Sequence, residues 1–167
     1  MGNRAIISCK NMKNEPAIYL HWNGGPESIL AFLHAAKDLG IRSPGGDDSY
    51  FLARFAQIIG NWFGGELSVG ICSLGDGEVG DNGHYILGND FSIRERRGNR
   101  YGSDKNVCGL GELDPEAKRK YEGIRAAVFN ASAKLYGLQR YRMDKNGEYP
   151  IDDFKVRRLP RKKAVKV

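Results

Sequence analysis

Residues 17–40 read AIYLHWNGGPESILAFLHAAKDLG, a strand-like run that passes through two glycines directly into a helix. In AIYLHW the residues are β-prone and alternate, with Ile18, Leu20 and Trp22 on one side and Ala17, Tyr19 and His21 on the other. Asn23-Gly24-Gly25 interrupts the strand. Pro26 then stands where a first helical residue belongs, and Glu27 is favourably placed against the positive end of the helix dipole. Ile29, Leu30, Phe32, Leu33, Ala36 and Leu39 form an apolar face that ends at Gly40, so the spacing predicts a helix over 26–39.

On the N-terminal side, RAIISC (4–9) is a second β-prone run, joined to the first by the polar KNMKNEP, and the two read as a hairpin. On the other side, the loop IRSPGGDDS offers Asp47, Asp48 or Ser49 as the cap of a helix over about 49–63. Its stripe is Phe51, Phe55, Ile58, Ile59 and Trp62, widened by Leu52, Ala56 and Phe63, which predicts the buried central helix. Arg54 is the odd residue there, read as a snorkelling side chain or the partner of a carboxylate.

ELSVGICSL (66–74) and HYILGNDFSIRER (84–96) flank the acidic glycine-rich turn GDGEVGDNG and read as a meander of antiparallel strands. Asp114-Pro115 opens the longest helix, over about 115–136, with the stripe Ala117, Tyr121, Ile124, Val128, Ala131 and Leu135. LQRYRM and EYPI around Asn146-Gly147 read as a last hairpin. The fold expected is one α+β domain over 1–154. Its antiparallel sheet has about five to seven short strands, with the first two helices a packed pair and the third across a face.

Residues 155–167, KVRRLPRKKAVKV, hold seven Lys/Arg and no acid, and read as a basic tail. The formal net charge of +6 conceals an asymmetry. Residues 1–90 carry 6 Lys/Arg against 10 Asp/Glu, and residues 91–167 carry 20 against 10, or −4 and +10. Clustered positive charge raises the local potential and attracts phosphates, so the second half calls for nucleic acid or an acidic protein surface as partner.

Cys9, Cys72 and Cys108 are odd in number and widely spaced, which signals neither a disulfide framework nor a zinc ribbon and fits reduced thiols in a cytoplasm. The expectation is a cytoplasmic protein with no membrane span, since Arg54, Gln57 and Asn61 interrupt the most hydrophobic region, and with no leader or lipid-anchor motif.

Three sets of residues could carry function. Asn23, Gly24 and Gly25 at a strand-to-helix corner can present backbone N–H groups to an anion, although the segment matches neither the dinucleotide fingerprint nor the Walker A loop, so no cofactor is called for. His21, with Cys9 across the first hairpin, is the candidate acid–base or nucleophilic pair of a small hydrolase or transferase. Each also has a structural reading, the glycines as a tight corner, the histidine as an exposed side chain and the cysteine as a small hydrophobe. His21, His34 and His84 with Asp76, Glu78 and Asp81 have no metal spacing, so no metal is expected.

The basic signals are richer. Arg94, Arg96, Arg97 and Arg100 cluster beside Tyr101, and with Arg140, Arg142, Arg157, Arg158, Arg161, Lys162 and Lys163 they could track a phosphate backbone, while Tyr101, Tyr141 and Tyr149 stack on bases. The favoured reading is a non-enzymatic nucleic-acid-binding protein; the alternatives are a protein-interaction module, such as an inhibitor of a host complex, and the small enzyme. Across about the first 90 residues, NRAIIS…AIYLHWNGGPES and LSVGI…DNGHYIL resemble a group of small bacterial proteins associated with phages and other mobile elements. That resemblance implies a cytoplasmic protein acting on nucleic acid or a host protein, and brings no functional residues with it.

Overall fold

The computed structural model describes residues 3–9, 15–64, 68–74, 80–98, 109–141, 156 and 158. The hairpin expected around Asn146-Gly147 and most of the basic tail lie outside these residues. Five strands and three helices follow in the order β1 (Ala5–Ser8), β2 (Pro16–Leu20), α1 (Pro26–Asp38), α2 (Asp48–Phe63), β3 (Val69–Ser73), β4 (His84–Leu87), β5 (Ile93–Arg97) and α3 (Pro115–Ser132), with 3-10 turns at Leu110–Glu112 and Ala133–Tyr136. The architecture is α+β. The helix boundaries follow the local signals. Pro26 and Pro115 open α1 and α3, the Asp47 carboxylate accepts from the Tyr50 N–H at 3.0 Å, and the Asp114 carboxylate accepts from the Ala117 N–H at 2.8 Å. Gly64 ends α2 with φ of 68°, the left-handed conformation that a Cβ disfavours.

The sheet departs from the expected arrangement in one pairing and in its order, which is β3-β2-β1-β4-β5. Three pairings are antiparallel, but β1 and β4 run parallel, with Ile6 opposite His84 and Ser8 opposite Ile86. β3 extends the first hairpin by pairing with β2, so β3 and β4 are not neighbours in a meander. The physical reason lies in burial: AIIS and HYIL are four-residue segments buried throughout, as the middle of a sheet requires, and nothing local in such short apolar runs fixes their partner.

Ala5, Ile7, Ile18, Leu20, Tyr85 and Leu87 share one core with Phe32, Leu33, Phe51, Phe55, Ile59, Tyr121, Val128 and Phe129 of the helices. The central helix is α1 rather than α2. Eight of its thirteen residues are buried, Ala31, Ala35 and Ala36 included, whereas α2 buries Phe51, Leu52, Phe55, Ile58 and Ile59 and leaves its other side to solvent. Alanines contribute little hydrophobicity to a sequence stripe, yet Ala31 and Ala35 fall on the side of α1 whose Glu27, His34 and Asp38 reach α3, where small volume permits close approach. The stripe of α3 also drifts from the sequence reading: Ala126, Phe129 and Ser132 are buried, while Ala131 is exposed and Leu135 is 71% exposed. Trp22 is likewise 43% exposed, because β2 ends at Leu20 and a bend breaks the alternation.

Polar side chains bind α1 to α3. Arg125 holds Asp38 with two bonds of 2.9 and 3.0 Å and donates to the Tyr121 hydroxyl at 3.2 Å. That hydroxyl is also hydrogen-bonded to His34 Nδ1 at 2.6 Å. Burial, and then the charges of Arg125 and Lys37, lower the pKa of His34 to about 4. Lys120 of α3 also reaches Glu27 at 2.5 Å.

Candidate anion-binding surface

The Asn23–Gly25 corner is built for packing. The Gly24 N–H donates to the Asn3 carbonyl at 2.7 Å, and a Cβ on Gly24 would stand 2.7 Å from the Cβ of Ala5. Only glycine lets the corner lie against the start of β1. Asn23 has φ of 56°, the left-handed turn that reverses the chain. The Glu27 carboxylate lies 2.6 Å from where a Cβ of Gly25 would be, so a negative charge, tied to Lys120, stands beside the corner and opposes an anion there.

His21 and Cys9 are not brought together. With Ala5 opposite Leu20, His21 falls opposite Arg4, five residues along β1 from Cys9, a separation of about 16 Å. They also face opposite sides of the sheet, since Cys9 packs against the core and the His21 imidazole bonds the Tyr19 hydroxyl at 3.1 Å. The corner therefore assembles no nucleophile with a base. On the second face of the sheet His84 Nε2 meets Ser8 Oγ at 2.7 Å, but both residues are buried, and burial keeps His84 below the usual histidine pKa, as a neutral structural partner. Among the described residues no group of three or more His, Cys, Asp or Glu could hold a metal ion. Asp76 and Glu78 lie outside them.

The β5 arginines divide. Arg94 is exposed, but Arg96 is 7% exposed. Its guanidinium lies over the Tyr85 ring at 5.2 Å and donates to the Asn82 carbonyl at 2.8 Å, which removes it from a phosphate-tracking surface. Arg97 is exposed and bonded to Glu95 at 2.5 and 2.7 Å, so its charge is largely offset at source. Arg140 and Arg158 are both exposed, and Leu138 pairs with Arg158 in an antiparallel bridge, which sets the two arginines at the end of α3. Tyr141 packs its ring on Phe129, with centroids 4.5 Å apart, and accordingly belongs to the core edge. Arg100, Tyr101, Arg142, Tyr149, Arg157, Arg161, Lys162 and Lys163 lie outside the described residues.

A cluster that the sequence reading left unassembled sits on the outer side of α2. Gly40, Ile41 and Arg42 of the α1–α2 loop, Tyr50, Arg54 and Gln57 of α2, and Leu135 and Tyr136 after α3 line a cavity of about 540 Å³. The Arg42 guanidinium lies 4.9 Å and that of Arg54 5.4 Å from the centre of the Tyr50 ring, an arrangement in which the ring's π-face stabilises both cations. Arg54 donates to Gln57 Oε1 at 2.9 Å and approaches the Tyr50 hydroxyl at 3.5 Å; that bond and the Arg54 charge hold the phenol below its ordinary pKa.

Neither guanidinium has a carboxylate partner among the described residues. The two nearby acids at the start of α2 are used by backbone: Asp47 accepts from Tyr50 N–H, and Asp48 accepts from Gly45 N–H at 2.7 Å. Arg54 reaches the surface, as the snorkelling reading expected, and its guanidinium stands beside a concave surface without an ion pair to a carboxylate. The signal in the sequence was the spacing of Tyr50, Arg54 and Gln57, which puts three polar side chains on one helical ridge, but nothing in it placed Arg42 or Tyr136 alongside.

No protein-family model, no curated protein and no solved structure matches the chain. Among the described residues no helix is long and apolar enough to cross a membrane.

Proposed function

We propose that this protein binds nucleic acid through its phosphates, using the groove on the outer side of α2 together with the basic end of α3. One observation carries the reading: Arg42 and Arg54 line a cavity beside Tyr50, and neither forms an ion pair with a carboxylate among the described residues. A guanidinium fork suits phosphate oxygens, and Arg140 and Arg158 add exposed positive charge where α3 ends, close in sequence to the Leu135 and Tyr136 lining. The excess of ten positive charges over residues 91–167 supports a polyanionic partner, as does the resemblance to proteins of mobile elements.

The test is the affinity of nuclease-treated protein for a labelled single strand and a duplex across a salt series. Binding should weaken steeply with salt. Arg42→Gln with Arg54→Gln should weaken it further and lower the slope of log affinity against log salt by about 0.7 for each single-strand phosphate that the arginines no longer neutralise. Arg96→Gln, which alters a guanidinium already bonded to the protein, should leave that slope unchanged. An absence of binding to either nucleic acid at low salt defeats the reading and turns attention to an acidic protein surface.

A further inference from the structure

The groove carries more than charge. Its two arginines account for only part of the wall; Tyr136, Ile41 and Leu135 add apolar and aromatic surface, and the Leu135 side chain stays 71% exposed. A bare phosphate would use the guanidiniums and gain nothing from this apolar and aromatic wall. A ligand with a flat π-face joined to a phosphate uses both. The volume of about 540 Å³ also falls in the range of small-molecule sites, roughly 300–1,000 Å³.

We infer that this groove holds one nucleotide of a single strand, its phosphate on the Arg42 and Arg54 guanidiniums and its base against Tyr136 and Leu135. Gln57, whose Oε1 is taken by Arg54, keeps its amide nitrogen as a donor for the base edge or sugar. In a duplex both faces of each base are covered by neighbouring pairs, so only a single strand, or an end that can unstack, offers a base to this wall. The inference rests on the nucleic-acid reading above and specifies which part of the ligand the groove reads.

The experiment compares two labelled strands of roughly twelve nucleotides, the scale of a single-strand footprint, one of thymidines and one of abasic sugars with the same phosphates. The full-length protein should bind the base-bearing strand about tenfold more tightly, the scale of one base stacked on an aromatic ring. Leu135→Ala and Tyr136→Leu should shrink that ratio towards one while leaving the abasic strand's affinity unchanged, and Arg42→Gln with Arg54→Gln should weaken both strands in common. Leu135 is mostly solvent-exposed, so its variant keeps the test interpretable if Tyr136→Leu unfolds. Equal affinities for the two strands in the wild type overturn the inference and leave phosphate binding standing; failure to bind either strand overturns both. A preference for bases that survives Leu135→Ala and Tyr136→Leu places the base elsewhere and also overturns it.

Discussion

Ser28 lies in the first turn of α1, wholly buried, and its hydroxyl has no hydrogen-bond partner among the described residues. A hydroxyl taken from water without a new partner is a net cost, so Ser28→Ala should stabilise the protein by about 1 kcal/mol, read as a higher urea midpoint with an unchanged m-value. Gly24 gives the opposite case. A methyl group there meets Asn3 and Arg4 backbone and the Ala5 side chain within 2.8 Å, and Gly24→Ala should cost about 2 kcal/mol by overpacking. His34 sets a pH dependence. Its folded pKa of about 4 lies below the ordinary 6.5, so the unfolded chain binds more protons between those values, and the stability it contributes is complete above pH 6.5 and lost as pH falls towards 4. From pH 7 to pH 4 the loss is about 3 kcal/mol at most, partly offset by Asp38, whose carboxyl is raised by burial against the opposing pull of Arg125. Denaturation curves of His34→Gln over that window should be flatter than those of the wild type; parallel curves would contradict this assignment.

At the scale of elements, the contact between α1 and α3 organises the helical layer, and its specificity comes from Arg125, Asp38, Tyr121 and His34 over a bed of alanine. Arg125→Met strands a largely buried carboxylate and should cost about 2 kcal/mol, while adding Asp38→Asn in the same chain should recover about half of it, as a double-mutant cycle would show. Helices were legible in the sequence because their ends carry local chemistry: Pro26, Asp47, Asp114-Pro115 and Gly64 each act within a turn. Strand pairing was not. The partner of β1 on one side is β4, some 78 residues away, and short apolar runs pair by burial rather than by any local mark. The centrality of α1 was hidden for a related reason, since Ala31 and Ala35 add little to a hydrophobic stripe and matter only where α3 packs on that side of the helix.

For the whole molecule, the charge asymmetry was legible and the α2 groove was not. The sequence reading placed phosphate contacts on the arginines of β5 and the tail; of these Arg96 supports Asn82 and Arg97 is tied to Glu95, Arg94, Arg140 and Arg158 are exposed, and the others lie outside the described residues. The groove instead draws Arg42 from the acidic half of the chain and Leu135 and Tyr136 from the basic half, an assembly that net charge per segment does not reveal. Its residues are separated by more than 90 positions and meet because α2 and α3 pack together beside the α1–α2 loop.

Photocrosslinking tests nucleotide binding in the α2 groove most directly. A single strand carrying a photoreactive thymidine analogue is irradiated with the intact protein at moderate salt, and the modified peptides are mapped by mass spectrometry. Adducts are expected in the peptides holding Tyr50 and in those holding Leu135 and Tyr136, and should disappear in the Arg42→Gln, Arg54→Gln variant. Adducts confined to the β5 edge or the Asn23–Gly25 corner, or none at all, would contradict the groove as the binding site.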